Sequence, residues 1–149
     1  MENLKLKMID FTGKSENVVS ERDMIFSFNN GEIKIYLSYE TGELKKIEIV
    51  SENEKIEKEI GMEAVLKFKG NSVILDYEYG LYEYVKIEIE DKLEKYWADG
   101  KTVYLKEGKR IFLEVEIWEG YLLFFDDEYR MAGFGIKIGK NKNFEKAEL

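Results

Sequence analysis

Alternation of apolar and polar residues is the feature that most restricts how this chain folds. Apolar residues stand at every second position of Ile33-Lys34-Ile35-Tyr36-Leu37-Ser38-Tyr39, and the pattern recurs at residues 85–89 and 111–117. A period of two is typical of a β-strand that buries one face and exposes the other. Pairs such as Asn30-Gly31 and Thr41-Gly42 separate these runs at hairpin spacing. The pattern predicts an all-β fold, because antiparallel sheets with one solvated face show this alternation.

The expected architecture is a single antiparallel meander. About 10–12 strands would close into a β-barrel or form a strongly curved sheet. Two linking segments carry helix signals: Ser51-Glu52-Asn53-Glu54 and Asp91-Lys92-Leu93-Glu94 resemble capping boxes, and Gly61 and Gly100 stand where helix C-caps are expected. We therefore expect one to three short helices beside the strands.

The glycines recur at a spacing close to 39 residues. Gly31, Gly70 and Gly108 are 39 and 38 residues apart along the chain. We interpret residues 1–149 as one β-rich domain, with internal units at 23–61, 62–100 and 101–139. Two explanations stay open, internal duplication and a regular meander, since strands of about nine residues with short turns give three strands in about 36 residues.

The amino-acid composition limits the kinds of catalysis and metal binding that are available to this chain. The chain has no histidine and no cysteine, which removes the most frequent general base, the most frequent metal ligand and the thiolate nucleophile. Among 31 acidic residues, some carboxylates must lie at catalytic separation by chance, so a carboxylate hydrolase ranks behind other functions. Glu83 is the one unusual carboxylate, because its parity predicts an inward side chain. We expect a protein that is not an enzyme and that uses no cofactor or metal.

Charge and hydropathy bear on partners and location. The net charge is −8, which argues against direct binding to a nucleic-acid backbone. An apolar run of about 18 residues, as a membrane span requires, is absent, and the first residues lack the apolar stretch of a signal peptide. These features predict a cytoplasmic protein that does not enter a membrane.

Acidic and aromatic residues gather in one part of the sequence. Residues 111–129 include six acidic residues and no basic one, and Trp118-Glu119-Gly120-Tyr121 forms an aromatic turn among them. Near a second turn at Gly80, parity places Tyr77 and Tyr79 at the core and exposes Tyr82 and Tyr84. Such mixtures are typical of protein-binding surfaces, although aromatic residues also favour strands, and Asp126 or Asp127 could instead cap a short helix. The predicted partner-binding residues are Glu114, Glu116, Trp118, Glu119, Tyr121, Asp126, Asp127, Glu128, Tyr82 and Tyr84.

Two function hypotheses follow. The first is a small acidic, non-catalytic protein that inhibits or neutralises a protein partner by occluding its basic surface, as an immunity protein, an antitoxin or a phage-encoded anti-defence inhibitor does. An enzyme that acts on nucleic acids is the expected kind of partner. The alternative is a lipocalin-like barrel that holds a small apolar ligand. The inward aromatics that favour this alternative are Phe26, Phe28, Phe68, Tyr77 and Tyr79.

Overall fold

The fold is built almost entirely from β-strands. The computed structural model describes residues 4–12, 23–49, 58–77, 86–108 and 110–137. These residues form twelve strands and one short 3-10 turn, Asn29–Gly31. The strands are β1 (Leu4–Asp10), β2 (Asp23–Phe28), β3 (Ile33–Ser38), β4 (Leu44–Ile49), β5 (Leu66–Lys69), β6 (Ser72–Tyr77), β7 (Lys86–Glu88), β8 (Leu93–Ala98), β9 (Lys101–Lys106), β10 (Leu113–Ile117), β11 (Tyr121–Phe125) and β12 (Met131–Lys137). The predicted all-β class is confirmed.

The strands form three sheets rather than one meander. The orders are β5-β10-β11-β12-β9-β8, β4-β3-β2-β7 and β1-β6. Within the described residues none of the sheets closes into a barrel, so the predicted barrel is wrong, and the arrangement is compatible with a curved β-sandwich. The purely antiparallel prediction is also wrong, because β5 pairs with β10 and β7 pairs with β2 in parallel. Strands β9 to β12 form a Greek key, since β12 returns to pair with β9.

The second predicted helix is a strand. Residues 93–98 form β8, which pairs antiparallel with β9. The reason lies in the turn that follows, where Asp99 and Gly100 have φ values of 46° and 78°. Two consecutive positive φ angles at Asp-Gly are the signature of a tight hairpin turn, so Gly100 ends a hairpin rather than a helix. The first predicted helix lies largely outside the described residues. Among those that are described, no helix is long and apolar enough to cross a membrane.

The three glycine-spaced segments do not share a pairing pattern. In the first segment β2, β3 and β4 form a simple antiparallel meander. In the second, β5 to β8 are distributed over all three sheets, and in the third β9 to β12 lie in one sheet. The glycine spacing therefore does not mark a repeated sheet arrangement in the described chain.

One apolar core joins the three sheets. It contains Phe26 and Phe28 from β2, Leu75 from β6, and Phe125 and other residues of the six-stranded sheet. Both phenylalanines of β2 are fully buried. Because every strand alternates its side chains, each sheet contributes one apolar face to this shared interior.

The six-stranded sheet is apolar on its other face as well. Leu122 and Phe124 of β11 and Val103 and Leu105 of β9 form a second buried cluster, against which Ile60 and other partly buried residues pack. The cause is the sequence Tyr-Leu-Leu-Phe-Phe of β11, which places apolar side chains on both faces. The expectation of one fully wet face therefore fails for this sheet.

Backbone hydrogen bonds between edges join the sheets. Leu75 N–H donates to Gly42 O at 2.9 Å, which links the two-stranded sheet to the start of β4. Leu6 N–H donates to Tyr129 O at 2.8 Å, which links it to the six-stranded sheet. These bonds give partners to edge groups that burial would otherwise leave unsatisfied.

Close packing explains two glycines in the sequence Gly133-Phe134-Gly135. A Cβ at Gly133 would lie 2.1 Å from Tyr104 O, and one at Gly135 would lie 3.0 Å from the Val103 side chain. The register of β11 and β12 also shifts beside Gly133. A bulge beside Gly133 and the close approach of the neighbouring strand at both positions therefore account for these two glycines.

The contact between Gly42 and β6 can be tested by substitution, with Gly100 as the matched control position. Gly42 and Gly100 have φ values of 79° and 78°, but a Cβ at Gly42 would lie 2.2 Å from Leu75 O whereas nothing lies within 4 Å at Gly100. Gly100→Ala should cost about 1–2 kcal/mol of unfolding free energy, the penalty of the left-handed backbone. Gly42→Ala should cost at least about 2 kcal/mol more, because the backbone of β6 must also move. Urea unfolding of both variants measures the difference, and equal losses would contradict the steric argument.

Candidate functional site

The structure separates the predicted binding residues into three places. Tyr82 and Tyr84 lie outside the described residues, as do Tyr79 and Glu83. The remaining eight lie on the outer face of β10, at the turn between β10 and β11, and at the turn between β11 and β12. The two turns are at opposite ends of β11, a strand of five residues, so they are about 17 Å apart. The two turns are therefore separate parts of the predicted surface, with Glu114 and Glu116 of β10 between them.

The turn from β10 to β11 presents an aromatic pair. Trp118 is 37% exposed, and its ring meets that of Tyr121 edge-to-face at a centroid distance of 5.5 Å. Trp118 and Glu119 have φ values of 50° and 49°, a backbone region that a bulky residue such as tryptophan rarely adopts. Strained backbone of this kind is concentrated at functional positions. Glu119 is exposed between the two aromatic side chains along the chain.

Lysines from distant parts of the chain lie beside the carboxylates of β10. Glu116 forms an ion pair with Lys137 of β12. Glu114 and Glu116 are also in register with Lys67 and Lys69 of the neighbouring strand β5. The stretch that has no basic residue in sequence is thus flanked by basic residues in space, and half-buried Glu114 and Glu116 are chiefly structural.

The acidic run at residues 126–128 forms a turn. The Asp126 side chain is buried, and its Oδ1 accepts hydrogen bonds from the backbone N–H groups of Glu128 and Arg130, both at 2.9 Å. The expected helix start is therefore wrong, because Asp126 holds a tight turn between two strands rather than a helix terminus. Asp127 is exposed, and Glu128 pairs with Arg130 at 3.5 Å.

A groove that the sequence did not indicate lies beside this turn. Its volume is about 530 Å³. Two arginines, Arg110 and Arg130, stand in its wall together with the acidic turn. Within the described chain no group of three or more acidic side chains is placed to hold a metal ion. The full lining is Val65, Gly108, Arg110, Ile111, Phe112, Asp126, Asp127, Glu128 and Arg130.

The aromatics proposed to line a ligand barrel have other roles. Phe26 and Phe28 are fully buried in the shared core, and the Tyr77 ring packs on Phe26 at a centroid distance of 5.2 Å. Phe68 is 43% exposed, so the prediction that it faces a closed interior is wrong. Phe68 lies opposite Val115 of β10, but β5 is an edge strand, and no core residue of the described chain covers the Phe68 side chain.

A pair of carboxylates that the sequence did not single out lies beside β6. Glu43 forms an isolated bridge with Ile74 of β6, and Asp10 of β1 is in register with Ser72 of the same strand. Burial, followed by the nearby charge of Asp10, raises the pKa of Glu43. The side-chain and then the backbone hydrogen bond from Thr12 lower the pKa of Asp10. Opposite pKa shifts in two neighbouring carboxyl groups are typical of catalytic acid–base pairs. Here, however, both hydrogen bonds that lower the pKa of Asp10 come from its near neighbour Thr12 and fall on Asp10 Oδ1. We therefore assign this pair no catalytic role.

The turn at Asp126 can be tested by removing its acceptor. Asp126→Ala should cost about 2–3 kcal/mol of unfolding free energy, because two backbone N–H groups lose a charged acceptor. Asp127→Ala, at the exposed neighbouring position, should change stability by less than about 0.5 kcal/mol. Chemical denaturation measures both, and amide exchange should show faster exchange at Arg130 N–H in the first variant alone. An unchanged free energy of unfolding in Asp126→Ala would contradict the assigned hydrogen bonds.

The raised pKa of Glu43 predicts a pH dependence. A carboxyl whose pKa is higher in the folded chain than in the unfolded chain disfavours folding once it is ionised, so its contribution to stability falls as the pH rises through the folded-state pKa. Glu43→Gln should therefore be more stable than the wild type at neutral pH and lose this advantage below 4.5, the ordinary pKa of the group. The advantage should be smaller in an Asp10→Asn background. Unfolding measured across this pH range gives the sign, and a pH-independent difference would contradict the assignment.

Two comparisons with known proteins found no relative of this chain. No protein-family model matches the chain, and no curated protein matches it significantly. The function is therefore argued from the geometry of the chain's own residues.

Proposed function

We propose that this protein is a small, non-catalytic binding protein that occludes a basic surface of a protein partner, as immunity proteins, antitoxins and phage-encoded inhibitors do. The partner we expect is an enzyme that acts on nucleic acids, because the binding surface of such an enzyme is basic. The exposed Trp118 beside Tyr121 is the observation that carries the proposal.

The aromatic turn has the properties of an interface anchor. Trp and Tyr are enriched among the residues that contribute most to binding energy, because they bury a large area with few rotatable bonds. The edge-to-face contact with Tyr121 already orders the Trp118 ring, so little side-chain entropy is lost on binding. Trp118 and Tyr121 are therefore proposed as the groups that a partner desolvates.

Charge has a supporting role in this proposal. Glu119 is exposed at the tip of the turn, and the whole chain has a net charge of −8. Complementary charge mainly speeds association and selects partners, whereas desolvated contacts set the dissociation rate. Since Glu116 and Glu128 are already in ion pairs, the proposed electrostatic contribution comes from Glu119 and from the overall field.

Affinity capture from the source organism with matched variants tests the proposal. Wild-type protein should retain a basic protein, and Trp118→Asn should lose it, at least about tenfold in affinity once the partner is purified. Asn tolerates positive φ, so the variant keeps the turn, and unfolding measurements should place its stability within about 1 kcal/mol of the wild type. Glu119→Lys should slow association, and this effect should diminish in high salt.

Tyr129→Ala is the matched control for this experiment. Tyr129 is also exposed and also has positive φ, but it lies at the opposite end of β11. This variant should retain the partner. The proposal is refuted if the wild type retains no protein, or if the Trp118 and Tyr129 variants retain it equally.

A further inference from the structure

Strand β5 leaves one edge of the six-stranded sheet open. It is the terminal strand of that sheet and pairs with β10 alone among the described strands. Leu66 N–H donates to Phe112 O and Gly70 N–H donates to Glu116 O, each at 2.9 Å. Backbone groups alternate in direction along a strand, so those of Lys67 and Lys69 point away from β10. This edge offers free donors and acceptors to another strand.

Exposed apolar side chains accompany the open edge. Val65 is 71% exposed, and Leu66 and Phe68 are also exposed. The ring of exposed Phe11 meets that of Phe68 edge-to-face at a centroid distance of 6.2 Å, and Met8 of β1 is exposed as well. Apolar side chains grouped in this way on a protein surface mark interaction sites.

Strand β10 shows which sequence β5 accepts. On the closed side, Glu114 and Glu116 are in register with Lys67 and Lys69. In the same ladder, Leu113 and Val115 lie opposite Leu66 and Phe68. The two β10 residues belong to the apolar core, whereas the two β5 residues are exposed. The partner of β5 within the fold is therefore a strand in which acidic and aliphatic residues alternate. The open side carries the same lysines and the same apolar residues, so it favours the same pattern.

The lysines oppose pairing with a second copy of β5. Antiparallel self-pairing that keeps the apolar residues on one face would bring the lysines of both copies together on the other. Like charges opposite each other destabilise a strand pair, and lysine on an edge strand is a common device against self-association. The same lysines attract an acidic strand, so they favour an acidic partner segment over a second copy of β5.

We propose that the open edge of β5 binds an extended, acidic and aliphatic segment of a partner protein and adds it to the six-stranded sheet as a further strand. The backbone of Lys67 and Lys69 supplies the hydrogen bonds, their ammonium groups face the acidic side chains, and Phe68 with Phe11 covers the apolar ones. This mode of recognition gives affinity through the backbone and specificity through alternate side chains. It is independent of the Trp118 turn.

A peptide titration followed by NMR tests this inference on the full chain. The probe is a capped peptide of sequence Leu-Glu-Val-Glu-Ile, and the control peptide is Leu-Lys-Val-Lys-Ile. The acidic peptide should shift the resonances of residues 65–69 and of Phe11 in a saturable way and slow amide exchange at Lys67 and Lys69. The basic peptide should bind at least about tenfold more weakly. Raising the salt from about 50 mM to about 500 mM should weaken the acidic peptide several-fold.

Modified peptides keep the protein unchanged and so avoid any effect on folding. N-methylation removes a donor, so methylating the alternate residues that face β5 should abolish binding, whereas methylating the other set should preserve it. In the protein, Phe11→Ala should weaken binding of the acidic peptide, and Tyr129→Ala should leave that binding unchanged. Equal binding of the two peptides, binding that tolerates both methylated sets, or a β5-mediated dimer seen by sedimentation would each overturn the inference. These readouts do not depend on the Trp118 variants, so this inference and the proposed function fail separately.

Discussion

Hydrogen bonding at sheet edges is the constraint on which the rest of this structure depends. Three sheets share one core, and none of them closes on itself, so every edge strand carries backbone groups that need partners. The bonds from Leu75 to Gly42 and from Leu6 to Tyr129 satisfy some of these groups between sheets. The Asn29 side chain does so by exchanging two bonds of 2.9 Å with the backbone of Leu93, the first residue of β8. A few hydrogen bonds between sheets thus take the place of the continuous ladder of backbone hydrogen bonds that a barrel has.

Because the sheets meet in this way, charges distant in sequence become neighbours. Lys137 reaches Glu116 across the intervening strand β11, and Lys67 lies in register beside Glu114. Cross-strand pairs of this kind are how a sheet offsets charge. A partner approaching β10 therefore meets little uncompensated charge there. The proposed sources of affinity are accordingly the exposed aromatic rings and the open backbone rather than the acidity of the chain.

Local patterns predict which face of a strand is buried better than they predict which strand it pairs with, although Phe68, which was expected to point inward, is exposed. Alternation predicted β3 and β10 well, since one buried face imposes a period of two. It could not show that β5 and β7 pair in parallel with distant strands, because side-chain parity is the same in any sheet. Asp99-Gly100 was assigned to a helix end although Asp-Gly also closes hairpins. At the site, Trp118 was identified from the sequence, whereas the groove is lined by residues that are distant in sequence, among them Val65, Arg110 and Arg130.

The two proposed surfaces lie at the same end of β10. Lys69 is in register with Glu116, and Trp118 follows two residues later, so a strand added to β5 would pass about 10 Å, two strand spacings, from β10. A partner whose acidic strand pairs with β5 could place a basic residue near Glu119. Linking two weak contacts through one chain raises the effective concentration of the second. A short edge strand of four residues and a single aromatic turn, each weak alone, would then suffice for specific binding without a large flat interface.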